Sequence, residues 1–183
     1  MTETRKKGPR IPKKITQSYL ENAALFYLQR YASSAANLRR ILLQKIKKSC
    51  QHHKTSVEDF IPLLDGIIAR YNSSGLLNDA QFSKSKAESL RRQGRSAWYI
   101  RQKLSIKGLS EEDINRSLDE VGNDEEAEIS AALILIKKKK LGGLRPGNSA
   151  SKEQNMKDIA VLARAGFSYK VATAALEITC KDK

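Results

Sequence analysis

The 183-residue chain predicts an all-α fold, tandem three-helix repeats forming an elongated, curved array of about nine short helices. Three observations lead there. Apolar residues recur at three-to-four spacing through most of the chain, the period of a helix with one buried face. Four prolines, ten glycines and only 6% aromatic residues leave long helix-forming stretches and suit neither a sandwich nor a barrel. Finally, one pattern, L-x-R-x-[AG]-x-S-x-x-x-[LIA]-x-x-x-L, occurs three times. It reads Leu28, Arg30, Ala32, Ser34, Leu38, Leu42; then Leu90, Arg92, Gly94, Ser96, Ile100, Leu104; then Leu162, Arg164, Gly166, Ser168, Ala172, Leu176.

The elements follow in order. "MTETRKKGPRIPKK" carries two prolines, a glycine and six cations with almost no apolar content, which predicts a solvated, disordered basic arm over residues 1–17. From Ser18, "SYLENAALFYLQRYA" has an apolar stripe through Leu20, Ala24, Leu28 and Tyr31. Ser34 is placed to cap "AANLRRILLQKIKKS", whose apolar face runs Leu38, Ile41, Leu42, Ile46. "CQHHKTS" reads as a loop. Thr55 with Glu58 could form a capping box, but that start would bury Pro62 inside the helix; a start capped by Asp59 leaves Pro62 in the tolerated first turn and is preferred. This helix continues through Leu63, Leu64, Ile67, Ile68 and Tyr71 to a stop at Gly75.

Asn78 with Gln81 opens the next helix, ending near Gly94; Ser96 opens another, ending at Gly108; Ser110 with Asp113 opens a third, ending at Gly122. Asn123 with Glu126 begins a helix that runs into "KKKK", a loop occupies 141–151, and a last pair covers 152–165 and 169–178. The expected organisation is an arm over 1–17, a first repeat over 18–76, a second over 77–122 and a third over 123–183 with the internal loop 141–151. Within each repeat the first leucine closes one helix's apolar stripe, the small residue permits a tight turn, and serine satisfies free backbone donors. The two following apolar positions then face the same neighbour. A helical hairpin this small cannot bury its own face, so repeats must share a core.

Charge is unevenly spread. Residues 1–54 hold 13 Lys/Arg against 2 Asp/Glu, residues 55–122 hold 10 against 10, and residues 123–183 hold 11 against 8, out of a net +14. A basic first third attracts a polyanion, either nucleic acid or an acidic protein groove. No apolar run approaches the roughly 20 residues that span a bilayer, and no apolar stretch follows the basic N-terminus. The expectation is a cytoplasmic protein without membrane contact, and Cys50 and Cys180 read as free thiols.

The second repeat with its approach, "GLLNDAQFSKSKAESLRRQGRSAWYIRQKLSIKGLSEEDINRSLDEV", resembles the core of the RecX regulatory proteins. It has a Gly-Leu-Leu-[DN]-Asp-x-x-Phe start, the basic turn, and an Ile-x-x-x-Leu-x-x-Lys-Gly exit. "LQRYASSAANLRRIL" and "LARAGFSYKVATAAL" resemble the pattern of the same family, so the likeness spans roughly residues 18–178. It implies an all-helical, monomeric modulator that binds the RecA recombinase filament on single-stranded DNA. Such a modulator restrains RecA ATPase, recombinase and strand-exchange activity in homologous recombination, DNA repair and the SOS response. No catalysis and no cofactor of its own are implied. Departures are Asn37 and Lys103, which stand where the family pattern has an acidic residue, and "CQHHKTS", which lengthens the loop after the first repeat. The alternative is a helical module that binds single- or double-stranded nucleic acid directly, without acting through RecA.

Candidate contact residues follow from helical geometry. With Ile100 and Leu104 turned inward, Trp98, Arg101, Gln102 and Ser105 point largely outward, beside Arg91 and Arg95 at the adjoining turn. An exposed tryptophan on a basic face can anchor a partner or stack on a base; equally, Trp98 can cover the seam between neighbouring repeats. Arg39 and Arg40 follow inward Leu38 with no acidic residue four positions on, which places them on the same binding face as Arg101. Lys137, Lys138, Lys139 and Lys140 either form a solvated helix end or track phosphates. Arg30, Arg92 and Arg164 recur near helix C-termini and favour a structural role with the helix dipole. "CQHH" offers three ligand types but no second cluster completes a metal site, and no nucleophile-base constellation or P-loop is present.

Overall fold

The computed structural model of the chain describes residues 11–145 and 151–181; the first ten residues of the expected arm and residues 146–150 of the expected loop lie outside the described residues. Nine α-helices form among the described residues: α1 (Gln17–Leu28), α2 (Ala35–His53), α3 (Ile61–Ser73), α4 (Asp79–Arg92), α5 (Ala97–Ser105), α6 (Glu111–Glu120), α7 (Glu125–Lys139), α8 (Lys152–Arg164) and α9 (Tyr169–Lys181). Two 3-10 turns, Glu58–Phe60 and Gly142–Leu144, complete the regular structure, and no strand occurs among the described residues. The all-α expectation holds. The chain divides into two compact units, Met1–Asn78 and Asp79–Lys183.

In the first unit Leu20 and Ala24 of α1, Leu38, Leu42 and Ile46 of α2, and Leu64, Ile67 and Tyr71 of α3 form one buried cluster. Its entrance differs from the expected free arm. Residues 11–16 have no regular structure, yet Ser49 donates through Oγ to the Lys13 carbonyl at 2.7 Å, and His53 Nε2 lies 2.9 Å from the Pro12 carbonyl. Ile15 is buried in the same cluster, and Thr16 accepts the Tyr19 N–H at 3.1 Å as the cap of α1. One apolar residue and two backbone carbonyls suffice to pin the end of a segment whose composition reads as solvated.

"CQHH" is also helical rather than a loop: α2 runs to His53 and stops at Lys54, whose backbone is left-handed at φ 56°. Cys50 is buried there, its thiol 3.4 Å from the Ser56 carbonyl. Pro62 falls in the first turn of α3, as expected, but Asp59 does not cap it. Asp59 lies inside the 3-10 turn, and no side chain caps α3. Tyr31 lies beyond the end of α1 and is 58% exposed, so the inward stripe stops at Leu28.

In the second unit serines sit where helices begin, at Ser96, Ser110 and Ser168 as expected and also at Ser151, the last residue of the expected loop. Ser96 accepts the Tyr99 N–H at 3.2 Å, Ser110 that of Asp113 at 3.1 Å, Ser151 that of Gln154 at 3.1 Å and Ser168 that of Val171 at 3.2 Å. The exception is α7, capped by Asp124 instead of Asn123, with the Ala127 N–H 2.8 Å from the carboxylate. Two clusters fill this unit: Ala87, Leu90, Ile100, Leu104, Ile114 and Leu118 in one, and Ala131, Ile136, Leu162, Ala172, Ala175 and Leu176 among those in the other. The paired apolar positions of all three repeats are fully or almost fully buried: Leu38 and Leu42, Ile100 and Leu104, Ala172 and Leu176.

The small residue of the repeat does not act alike in all copies. Gly94 and Gly166 have φ +77° and +91°, whereas Ala32 does not enter the left-handed region. A Cβ on Gly94 would meet the Ala131 carbonyl at 2.9 Å, so the turn after α4 presses directly on α7. That approach, with the Arg91 contacts described below, joins the second and third repeats within one compact unit.

Candidate functional site

Trp98 stands at the first turn of α5 and is 56% exposed. Its indole borders a cavity of about 540 Å³ whose other walls are Ala163, Arg164, Gly166, Phe167 and Ser168, the turn between α8 and α9. Two features hold the indole there. Ser96 donates to the Ala165 carbonyl at 2.7 Å, and Gly166 lies so close that a Cβ would fall 2.6 Å from Trp98 Cε3. One edge of the ring therefore closes the seam between repeats, and the rest faces solvent. Gln102 and Ser105 are exposed on the same helix.

The arginines are more engaged than their sequence context suggests. Arg91 is nearly buried, with Nη1 donating to Glu128 at 2.6 Å and to the Arg95 carbonyl at 3.0 Å, and Nη2 to the Gly122 carbonyl at 2.5 Å. Glu128 also accepts the Ala97 N–H at 2.8 Å. Arg91 is thus a brace between α4, the turn after α6 and α7, and offers little to a partner. Arg95 lays its guanidinium 4.7 Å from the centroid of the Tyr99 ring, leaving Nε buried without a hydrogen-bond partner. Arg101 reaches across to α6, donating to Glu111 and to Asn115 Oδ1, each at 2.6 Å.

Arg39 and Arg40 belong to the first unit. Arg39 forms a two-pronged pair with Asp65 of α3, at 2.7 and 3.3 Å, so its acidic partner comes from another helix. That hydrogen bond raises the Arg39 pKa and holds the Asp65 carboxyl below its ordinary value. Arg40 donates to Asn37 Oδ1 at 2.9 Å. Asn37 is itself buried and donates through Nδ2 to Ser33 Oγ at 2.7 Å. An ionised carboxylate at that position could accept from Arg40 but could not donate to Ser33, whose own hydroxyl hydrogen goes to the Ser34 carbonyl.

Lys137, Lys138, Lys139 and Lys140 are exposed at the C-terminal end of α7, with Lys140 left-handed at φ 53°. Lys138 donates to the Gln93 carbonyl at 2.9 Å, which ties this basic end to the turn after α4. Positive charge here also complements the helix dipole. Arg30 stacks over Phe26 at 4.2 Å, Arg92 pairs with Glu88 at 3.9 Å, and Arg164 donates to its own helix at the Ala160 carbonyl, 3.2 Å away. Arg164, Phe167 and Ser168 beside Trp98 were not among the candidates. The repeat itself carried the signal, because Ser168 and Arg164 occupy the positions of Ser96 and Arg92.

Among the described residues no group of three His, Cys, Asp or Glu side chains is placed to hold a metal, and no helix is long and apolar enough to cross a membrane. The geometry defines a helical-repeat protein with a surface notch around a half-exposed indole. Comparison with known proteins places it further. The family description "RecX, second three-helix domain" matches residues 78–118. The chain is 37% identical over 173 residues to the regulatory protein RecX of Myxococcus xanthus, covering 94% of this chain and 92% of that one. It is 26% identical over 170 residues to the RecX of Agrobacterium fabrum, covering 90% and 85%. The crystal structure of RecX from Lactobacillus salivarius shares the fold with a TM-score of 0.66 at 19% identity, covering 89% of this chain and 96% of that one. The chain belongs to the RecX family.

Proposed function

We propose that this protein regulates the RecA recombinase by binding its filament on single-stranded DNA and lowering its ATPase and strand-exchange activity, in the cytoplasm and without catalysing a reaction of its own. The observation that carries this reading is identity of 37% across almost the whole chain to a protein named as a RecX regulator. Trp98 is the anchor we assign to the contact, because a half-exposed indole beside an open notch is the kind of group that dominates a protein interface. The exposed lysines at the end of α7 supply long-range attraction to a filament that carries DNA phosphates. Arg91, by contrast, is reserved for the fold. Contacts of modest strength repeated along a filament would add through effective concentration, so affinity for assembled filament would exceed that for a free subunit.

The test is RecA ATP hydrolysis on single-stranded DNA, titrated with the native chain and with Trp98→Ala. Inhibition at less than one molecule per recombinase, with potency reduced about tenfold in the variant at unchanged helicity, is the expected result. A native chain that leaves hydrolysis unchanged at low salt would remove the proposal.

A further inference from the structure

The first unit carries a second cavity, of about 560 Å³, that the recombinase reading does not use. It opens between α1 and α2 beside the chain that enters α1. Its walls include Phe26, Tyr27 and Tyr31 together with Lys13, Arg30 and Lys45, and among the described residues no carboxylate lines it. Phe26 is 56% exposed and Tyr31 58%, an unusual amount of aromatic surface for a chain with 6% aromatic residues.

These rings are arranged rather than scattered. Tyr27 and Tyr31 have centroids 5.2 Å apart at 39°, and the Tyr27 hydroxyl accepts from Asn37 Nδ2 at 3.3 Å, which fixes the ring from behind. On the other side Arg30 lies 4.2 Å from the centroid of Phe26 and holds that ring at the surface. Neither Phe26 nor Tyr31 belongs to the buried cluster of the unit, so packing does not account for them. Lys45 is exposed on α2, and Lys13 is placed by its backbone carbonyl, which accepts from Ser49.

Aromatic faces flanked by cations, without a carboxylate, match the two halves of a nucleotide. A base presents a π-face that stacks on a ring whatever its identity, and a phosphate is drawn to Lys and Arg. We infer that the Phe26–Tyr27–Tyr31 cavity is a binding site for single-stranded nucleic acid, in which an unpaired base stacks on these rings while Lys13, Arg30 and Lys45 meet the flanking phosphates. Duplex DNA is a poor fit, because its bases are already stacked on one another. The site lies in a different unit from Trp98 and stands or falls independently of the recombinase reading.

The experiment uses the full chain and DNA alone. A labelled twenty-nucleotide thymidine strand and an abasic strand of equal length and charge are compared by fluorescence anisotropy over a salt series. The native chain is expected to bind the thymidine strand about tenfold more tightly. The double variant Phe26→Ala/Tyr31→Ala, whose sites are exposed, should keep its helicity and its salt slope while losing that preference. Lys45→Ala should keep the preference and flatten the slope of log K against log salt by about 0.7, as for one phosphate contact. A 5-iodouracil strand should cross-link at Phe26, Tyr27 or Tyr31. Equal affinity for the two strands, or cross-links confined to Trp98, would overturn the assignment. So would a double variant that binds both strands as the native chain does but loses inhibition of RecA, an outcome that makes the cavity a protein contact.

Discussion

The Ser96 hydroxyl serves two helices at once, accepting the Tyr99 N–H at 3.2 Å and donating to the Ala165 carbonyl at 2.7 Å. The serine that starts α5 therefore also fastens the second repeat to the end of α8 in the third. Ser168, its counterpart in the third repeat, accepts from Val171 as an ordinary cap. Ser96→Ala should cost about 2 kcal/mol, a cap plus a buried hydrogen bond, against about 1 kcal/mol for Ser168→Ala. Chemical denaturation of the two variants side by side measures the difference, and equal losses would mean the Ala165 contact contributes nothing.

Glycine at position 166 is required twice over. Its φ is +91°, and a Cβ would fall 2.6 Å from both Ser96 Oγ and the Trp98 ring. Gly75, at φ +73°, has open space around it. Alanine at Gly75 should cost about 1 kcal/mol from backbone strain alone. Alanine at Gly166 should cost more and should also displace Trp98, seen as a shift in its fluorescence maximum that Gly75→Ala does not produce.

Arg91 and Glu128 form the least exposed ion pair of this brace, with side chains 12% and 15% exposed. Removing one partner leaves a charge stranded among backbone groups, so Glu128→Gln or Arg91→Met should destabilise by about 3–5 kcal/mol. Breaking the exposed Arg116–Glu112 pair, whose side chains are 55% and 81% exposed, should change stability by less than about 1 kcal/mol. Unfolding midpoints of the single variants check the ordering.

Acid should weaken the first unit in a defined way. A hydrogen bond from Arg39 depresses the Asp65 carboxyl, and hydrogen bonds from Gln17 and then Arg70 depress that of Glu21. A carboxyl with a lowered folded pKa contributes stability that is present above its unfolded value and is lost as pH falls through the folded one. Asp65→Asn should therefore lower the unfolding midpoint slightly at pH 7 and leave it closer to the native value at pH 3. Asp65 is half-exposed and Glu21 partly so, which keeps the effect small, and salt should reduce it. An acid response identical in native and variant chains would count against the pair.

Much of the fold is local, and its signals were in the sequence. Serine before an apolar run, glycine after it and three-to-four periodicity placed the starts of α2, α5, α6 and α9 at Ser34, Ser96, Ser110 and Ser168, where they lie, because caps and faces depend on residues within one or two turns. The cap of α7 moved by one residue because Asn123 and Asp124 are both competent acceptors. The end of α2 was misplaced for a different reason: "CQHH" has no strong propensity, and its helical state depends on the buried Cys50 and on the chain at Pro12 that receives His53.

The sequence by itself determined that this chain is helical, that it repeats one caps-and-core pattern three times, and which leucines and isoleucines face inward. These are consequences of period and of short-range hydrogen bonding. Only the tertiary structure decided what its arginines do. Arg39 finds Asp65 and Arg91 finds Glu128 across 26 and 37 residues of chain, distances at which no spacing rule operates. It likewise decided that Trp98 leans on Gly166 and that Phe26 and Tyr31 share a cavity with Lys45, since a surface is composed of residues that folding, and not sequence order, makes neighbours.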